Sequence, residues 1–451
     1  MTLVDIFPSR FPQTLRATLL TALLLPGAQA LAGQTARCDL GAHGTQQGGG
    51  LAAVLSGNGE LLTFTSDATG LVANDTNNAA DVFVHSLYTG VTRRVSVGLD
   101  GGEANGDSNL SSLSSNGRYV VFESGASNLV PGDSNGFTDT FVYDRDSGLT
   151  ERASVASSGT EANAASSLAA ISPDGRFVAF SSTATNLVDN DGNGAAADIF
   201  VHDRETHETT RITSSNGVES DGQDEYPAIS KGGRIVTFTS DATNLVPGDS
   251  NGVLDIFTHD LKTGITTRIS VASDGAEANG PSLISTISHD GRYVAFTSAA
   301  SNLAPDDTNK AWDAFIHDRV THQTVRVSVA SNGRQGNGGS ELPVLSADGQ
   351  IVAFVSQAGN LVVGDSNGKS DVFVRNLATR RTTRLSVGVD GQEANGDSTY
   401  PSISDDGWRV AFESRATNLV ANDTNNNIDV FLADRRLKPN LTGVCKDAVK
   451  P

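Results

Sequence analysis

Cysteine is nearly missing from this chain of 451 residues, which has two, Cys38 and Cys445. That excludes a small scaffold stapled by many disulfides. Basic residues are also in short supply: 32 Lys and Arg stand against 52 Asp and Glu, a formal net charge of −20. So anionic a surface repels nucleic acid and anionic lipid, and no basic patch offsets it. Long apolar runs are lacking too. The longest, Ala17–Leu25, falls short of the roughly 20 residues that span a bilayer, so no membrane insertion is expected. Helical periodicity is missing as well, because Gly and Asn interrupt the apolar residues at short intervals.

The short apolar run has another meaning. Arg10 and Arg16 precede it, and Pro26-Gly27 and the small-residue stretch Ala28–Ala32 follow. The order basic, apolar, small predicts a secretory signal peptide over 1–32, cut after Ala30 or Ala32. The mature chain, 33–451, is then exported, periplasmic or extracellular. Losing Asp5, Arg10 and Arg16 moves the net charge from −20 to −21. In an oxidising compartment Cys38 and Cys445 are expected to form a disulfide.

What the chain does have is a ruler. Asp75, Asp133, Asp191, Asp249, Asp307, Asp365 and Asp423 lie 58 residues apart, and each opens a phrase Asp-x-Asn followed by a second Asp before an apolar run. A period of this length means one supersecondary unit, copied and stacked. A unit read from Tyr226 holds four short β-rich segments separated by turn clusters: A (226–230), B (234–240), C (255–260) and D (265–271). Phe64, Phe122, Phe180, Phe238, Phe296, Phe354 and Phe412 form one column on B. Phe83, Phe141, Phe200, Phe257, Phe315, Phe373 and Phe431 form another on C. Together they hold 14 of the 18 phenylalanines, each flanked by Val, Ile or Ala, so B and C are expected to be buried on both faces.

Four-stranded sheets repeated radially make a β-propeller, whereas the same sheets in an open row make a solenoid. The two ends of the chain decide. The seventh unit has A, B and C but no D after Asp434-Arg435, and Thr35–Gly41 near the mature N-terminus lines up with the D segment at Thr383–Gly388. The expected fold is therefore all-β: one seven-bladed β-propeller of four-stranded blades, closed by its N-terminal strand and followed by a short C-terminal tail. Closure removes exposed sheet edges. A Cys38–Cys445 disulfide would lock that seam.

The run from Ile171 to Ser182, ISPDGRFVAFSS, resembles the repeat signature of the TolB-like β-propellers. The variants SKGGRIVTFTS, SHDGRYVAFTS and SADGQIVAFVS recur in register, so the resemblance covers almost the whole mature chain. It implies the propeller fold and leaves the function open. In TolB it extends to the propeller part alone.

In a four-stranded blade the B–C and D–A connections emerge on one face. The B–C loops carry the Asp-x-Asn…Asp phrase, and the D–A loops carry a Glu-Ala-Asn phrase at Glu103, Glu161, Glu277 and Glu393. Acidic loops thus crowd one rim. Calcium takes six to eight hard oxygens, and alternating Asp and Asn in a Gly-containing turn can converge on it. The candidate ligands are Asp75, Asn77 and Asp81; Asp133, Asn135 and Asp139; Asp191, Asn193 and Asp198; Asp249, Asn251 and Asp255; Asp307, Asn309 and Asp313; Asp365, Asn367 and Asp371; and Asp423, Asn425 and Asp429. Two carboxylates per loop imply weak sites, roughly 0.1–1 mM. The competing reading is that Asp and Asn only cap their own turns.

His85, His202, His259 and His317 occupy one column at the end of strand C, one per blade, and read as semi-exposed strand residues rather than a catalytic cluster. Lys310 and Trp312 break the pattern of the fifth acidic loop and are possible partner contacts. The functional expectation is a monomeric, non-enzymatic binding scaffold, calcium-stabilised, that recognises a protein or glycan through its acidic face. The alternative is a propeller-type polysaccharide lyase or hydrolase with its site at the central channel. Such an enzyme needs unlike polar residues converging from strand A, which instead reads LSSLS, LAAIS, YPAIS, ISTIS, LPVLS and YPSIS.

Overall fold

The computed structural model describes residues 34–39, 50–194, 196–215, 217–388 and 391–436. The expected signal peptide and Cys445 lie outside them. The described chain forms seven four-stranded antiparallel sheets in sequence, plus one two-stranded hairpin, Ser214–Ser215 with Val218–Glu219. In blade 3 the strands are Ser166–Ile171 (A), Phe177–Ser182 (B), Asp198–Asp203 (C) and Glu208–Arg211 (D). Strand A begins two residues earlier than the sequence places it, at Asp224 in blade 4, and D stops sooner, at Arg268. The seventh blade joins Ser398–Ile403, Arg409–Ser414 and Asp429–Asp434 to the N-terminal strand Gln34–Arg37, which pairs antiparallel with Asp429–Asp434. Arg37 stands opposite Phe431 there, as Arg384 stands opposite Phe373 one blade back. The N-terminal strand is a D strand in register, and the ring is a closed seven-bladed β-propeller.

The tight A–B turns follow from three residues. In Ser172-Pro173-Asp174-Gly175, the Ser172 hydroxyl donates to Asp174 (2.6 Å) and accepts from the Phe177 amide (2.9 Å). Gly175 sits at φ +81°, and a Cβ there would lie 2.2 Å from the Tyr119 ring of blade 2. Only glycine fits both the left-handed backbone and the neighbour. The turns also join one another around the ring. Asn58 donates to Ser115, Ser115 to Pro173, Lys231 to His289, His289 to Ala347, Ala347 to Asp405 and Asp405 to Gly57, all backbone bonds of 2.7–3.0 Å. The link from Pro173 to Lys231 is missing because proline has no N–H. The bond from Asp405 to Gly57 ties blade 7 to blade 1, a second closure besides the strand seam.

The phenylalanine columns form the core as expected. In each blade the B and C rings stack, with centroids 5.7–5.9 Å apart. All are fully buried. Packing runs between blades: Val121 and Val142 of blade 2 share a cluster with Phe180 and Phe200 of blade 3. Each buried ring contributes about 1.5–3 kcal/mol of transfer free energy, and a stacked pair about 0.5–1.5 kcal/mol more.

Strand A lines the centre, and its wall has a feature the sequence did not announce. Each A strand carries a bulge that shifts its register against strand B. At the bulge one non-glycine residue is left-handed: Ala52, Leu110, Leu168, Tyr226, Ile284, Leu342 and Tyr400, with φ between +40° and +54°. For a β-branched residue such as Ile284 this conformation is costly, and at three of the seven positions the neighbouring blade holds the left-handed backbone by its amide. The Glu413 carboxylate of blade 7 accepts the Ala52 amide at 2.5 Å, Glu123 takes that of Leu168 and Thr297 that of Leu342.

Candidate functional site

The loop face is built from one cluster per blade. In blade 2 the expected residues Asp133, Asn135 and Asp139 do converge, and they meet a fourth. The Arg152 guanidinium, projecting from strand D, lies 3.4 Å from Asp133, 3.0 Å from Asp139 and 2.9 Å from Glu161. Asn135 turns its amide nitrogen inward, donating to Asp139 (2.7 Å) and to the Ala162 carbonyl (3.0 Å), while its oxygen caps the Phe137 amide (2.9 Å). The Ser154 hydroxyl donates to the other Asp139 oxygen at 2.6 Å. Glu161, from the D–A loop, accepts from both the amide and the hydroxyl of Ser134.

The same arrangement recurs round the ring. Arg94 serves Asp75, Asp81 and Glu103, and Arg211 serves Asp191, Asp198 and Glu219. Arg268 serves Asp249, Asp255 and Glu277, and Arg384 serves Asp365, Asp371 and Glu393. In blade 5, Arg326 binds Asp307 and Asp313, and Gln335 replaces the glutamate, donating to both aspartates. At the seam Arg37 binds Asp39, Asp423 and Asp429. In every blade the loop asparagine (Asn77, Asn135, Asn193, Asn251, Asn309, Asn367 or Asn425) donates to the second aspartate.

The charges follow from this geometry. Burial pushes Asp75, Asp133, Asp191, Asp249, Asp365 and Asp423 up, Asp365 to about 6, with Arg384 pulling that one the other way. The backbone amide and hydroxyl of Ser366 hold Glu393 down at about 2, and Thr76 does the same for Glu103. The oxygens assigned by sequence to calcium thus face a guanidinium and an amide NH2. Among the described residues no group of three or more His, Cys, Asp or Glu is placed to hold a metal ion. The arginine column, one residue per strand D, is what the sequence reading missed, although its signal stood in every TTR-like segment.

The histidines require a correction. His85, His202, His259 and His317 are buried, not semi-exposed. Each bonds through Nδ1 to a strand-D threonine, as His317 does to Thr324 at 2.8 Å. Thr324 passes its own proton to the Val271 carbonyl of the preceding blade, so His317 Nδ1 is the donor and the pair brackets two blades. Burial lowers His317 to about 4. A histidine lowered on folding binds fewer protons in the native state, so its contribution is lost as pH falls from about 6.5 to about 4. His317→Tyr, which installs the residue that blade 2 carries there as Tyr143, should flatten the acid side of a stability–pH curve. Denaturant titrations at pH 7 and pH 4.5 measure it, and an unchanged slope would refute it.

Lys310 is exposed in a left-handed backbone position, and Trp312 is half-buried, its carbonyl accepting the Ser340 amide. Trp408, on the opposite face, is more open at 45% exposure, with Arg435 over its ring. The central channel has a volume of about 390 Å³ and is lined by the bulge residues and their neighbours, including Tyr226, Tyr400, Pro227, Pro343 and Pro401. No histidine or carboxylate is among its lining residues.

No family model matches the chain, and no curated protein matches it. Solved structures do. TolB from Acinetobacter baumannii is 18% identical over 66% of this chain, with a TM-score of 0.37, and this chain spans only 59% of it. An oligogalacturonate lyase in complex with manganese is 12% identical, covering 90% of this chain and 94% of its own, with a TM-score of 0.50. The β-propeller domain of the Trilobed protease from Pyrococcus furiosus, described as having an open velcro topology, is 10% identical, covering 86% and 96%, with a TM-score of 0.53. What these likenesses share with the chain is the β-propeller fold.

Proposed function

We propose that the chain is an exported, non-enzymatic binding scaffold that takes a protein or glycan partner on its loop face, with a preference for basic groups. The observation that carries this reading is the acid excess of the rim: in six of the seven clusters at least three carboxylates surround a single guanidinium. The residual negative charge sits on one face and attracts cationic groups at long range. The channel wall supplies aliphatic residues, proline, tyrosine and the hydroxyls of Ser111, Ser285, Thr286 and Ser402, with no carboxylate or histidine for the acid–base pair a polysaccharide lyase or hydrolase commonly uses.

The test is capture of peptides and glycans of graded charge by the mature protein at low and at high salt. Basic ligands should bind and weaken as salt screens the rim. Salt-independent capture, or a preference for acidic ligands, would refute the reading. Turnover of any polysaccharide in the same samples would favour the enzyme alternative. Calcium stabilisation of the rim is separable: we read arginine as the resident cation of these loops, and uptake of one calcium per blade would reverse that. Export predicts a mature N-terminus at Leu31 or Gly33, which mass spectrometry reads directly.

A further inference from the structure

One junction breaks the repeat at buried positions. At the start of strand A, Ser108, Ser166, Ser282, Ser340 and Ser398 each pair hydroxyl to hydroxyl with a strand-B serine at 2.8–2.9 Å. Blade 1 has Gly50 at this place, and blade 4 has Asp224. Asp224 is 0% exposed, and neither of its carboxylate oxygens has a hydrogen-bond partner. Four residues before it a second change falls in the same pocket. Ser220, also buried, replaces the alanine that the sister loops carry as Ala104, Ala162, Ala278 and Ala394. Asp224 stands opposite Ser240 in the strand pair, its amide bonds the Ala197 carbonyl next to Asp198 (2.9 Å), and the Ser220 amide bonds the Thr213 carbonyl (3.1 Å), so the hydroxyls of Ser220, Ser240 and Thr213 lie around its carboxyl.

Charge is unbalanced here beyond any sister cluster. Asp191, Asp198, Glu219 and Asp224 stand against Arg211 alone. That guanidinium lies 2.6 Å from Glu219 but 3.8 Å from Asp198, the longest such distance to a strand-C aspartate in the ring. Arg211 therefore reaches Asp198 only at long range. Buried, facing carboxylates need a proton or a cation between them. The loop differs as well: a two-stranded hairpin stands where the sister loops make a single Val–Glu or Val–Gln bridge, and it delivers Ser220 into the pocket.

We propose that the junction of blades 3 and 4 holds one hard cation of the calcium class, bound by the carboxylates of Asp224 and Asp198 and the hydroxyl oxygens of Ser220 and Ser240. The oxygen-only donor set excludes soft metals. A carboxylate pair with hydroxyls in a buried pocket suits calcium, which accepts a protein-built oxygen shell, better than magnesium, which usually keeps several waters. The two hydroxyls already accept backbone amides, Ser220 from Gly222 and Ser240 from Ala242, so each retains a lone pair for an ion. The site shares Asp198 with the Arg211 cluster of blade 3, reaches deeper through Asp224, and does not rest on the scaffold reading.

The experiment is equilibrium dialysis of the full chain against radioactive calcium after EDTA treatment, paired with melting curves in EDTA, calcium and magnesium. Wild type should take up a single ion and melt higher in calcium than in EDTA. Asp224→Ser, which installs the residue of five sister blades, should lose that ion and the calcium-dependent rise. In EDTA it should melt above wild type, because the uncompensated carboxylate is gone. Ser220→Ala, again a sister-blade residue, should weaken binding about tenfold without abolishing it. No ion in wild type, or equal uptake by wild type and Asp224→Ser, would overturn the site. So would a stability that follows pH and ignores calcium, since a proton then fills the gap.

Discussion

Arg152→Met should cost about 3–5 kcal/mol at neutral pH, the loss expected when one partner of a buried ionic cluster is removed and its carboxylates stay behind. The guanidinium is in contact with Asp133, Asp139 and Glu161, and the two aspartate side chains are 5% and 0% exposed. Methionine fills the stem volume but offers no donor, so the deficit is electrostatic rather than a cavity. Its pH dependence has a definite sign. Burial already raises Asp133, with Arg152 opposing, so losing the arginine raises it further. A carboxyl raised on folding binds more protons in the native than in the unfolded state, which makes the variant lose stability as pH rises above about 4. The gap to wild type should be widest near pH 7 and shrink on acidification. Urea titrations of both proteins across that range measure it. Arg118→Met is the control: its pair with Asp144 lies at the surface, with 41% of the arginine side chain exposed, and should cost far less than Arg152→Met. Equal losses in the two variants would mean that the rim clusters are ordinary surface pairs.

Much of this molecule could be read before any coordinates. The 58-residue spacing and the two phenylalanine columns are one-dimensional records of a sheet copied around an axis. The closing strand could be found because Arg37 falls where Arg384 falls in an earlier unit. The rim was half legible. Asp133, Asn135 and Asp139 are neighbours in sequence and were expected to meet, but Arg152 and Glu161 arrive from a strand and a loop further on. The arginine's partners depend on which loops share a face, whereas the calcium expectation came from the alternating Asp and Asn oxygens of a single loop. The histidines failed for a similar reason. A position near a strand end looks exposed until Thr324 and the Val271 carbonyl of another blade are laid over His317. The left-handed bulges left no trace in sequence, since Leu168, Ile284 and Tyr400 do not favour that conformation. At Leu168 a contact across blades, the Glu123 carboxyl on its amide, holds it.

Phe238→Ala should destabilise the propeller by about 3–5 kcal/mol, the range for deleting a fully buried aromatic. Phe238 stacks on Phe257 with centroids 5.8 Å apart, inside a cluster that also contains Ala179, Ile199 and Val201 of the preceding blade. The cavity would open between two sheets whose backbones are fixed by ladders on either side, which limits how far the site can relax. Because the pairs are nearly identical, position in the ring becomes the variable. Phe412 stacks on Phe431 at 5.9 Å in the seventh blade, and Phe431 belongs to the strand that pairs with Gln34–Arg37. If strand pairing and the Asp405–Gly57 bond close the seam as tightly as continuous chain closes the other blades, Phe412→Ala should match Phe238→Ala. Guanidinium titrations of both variants decide the point. A markedly smaller loss in blade 7 would mean that the first strand is already detached in much of the native population, and closure would then be a weak latch rather than part of the cooperative core. Equal losses make the N-terminal strand as much a part of the fold as any strand inside it.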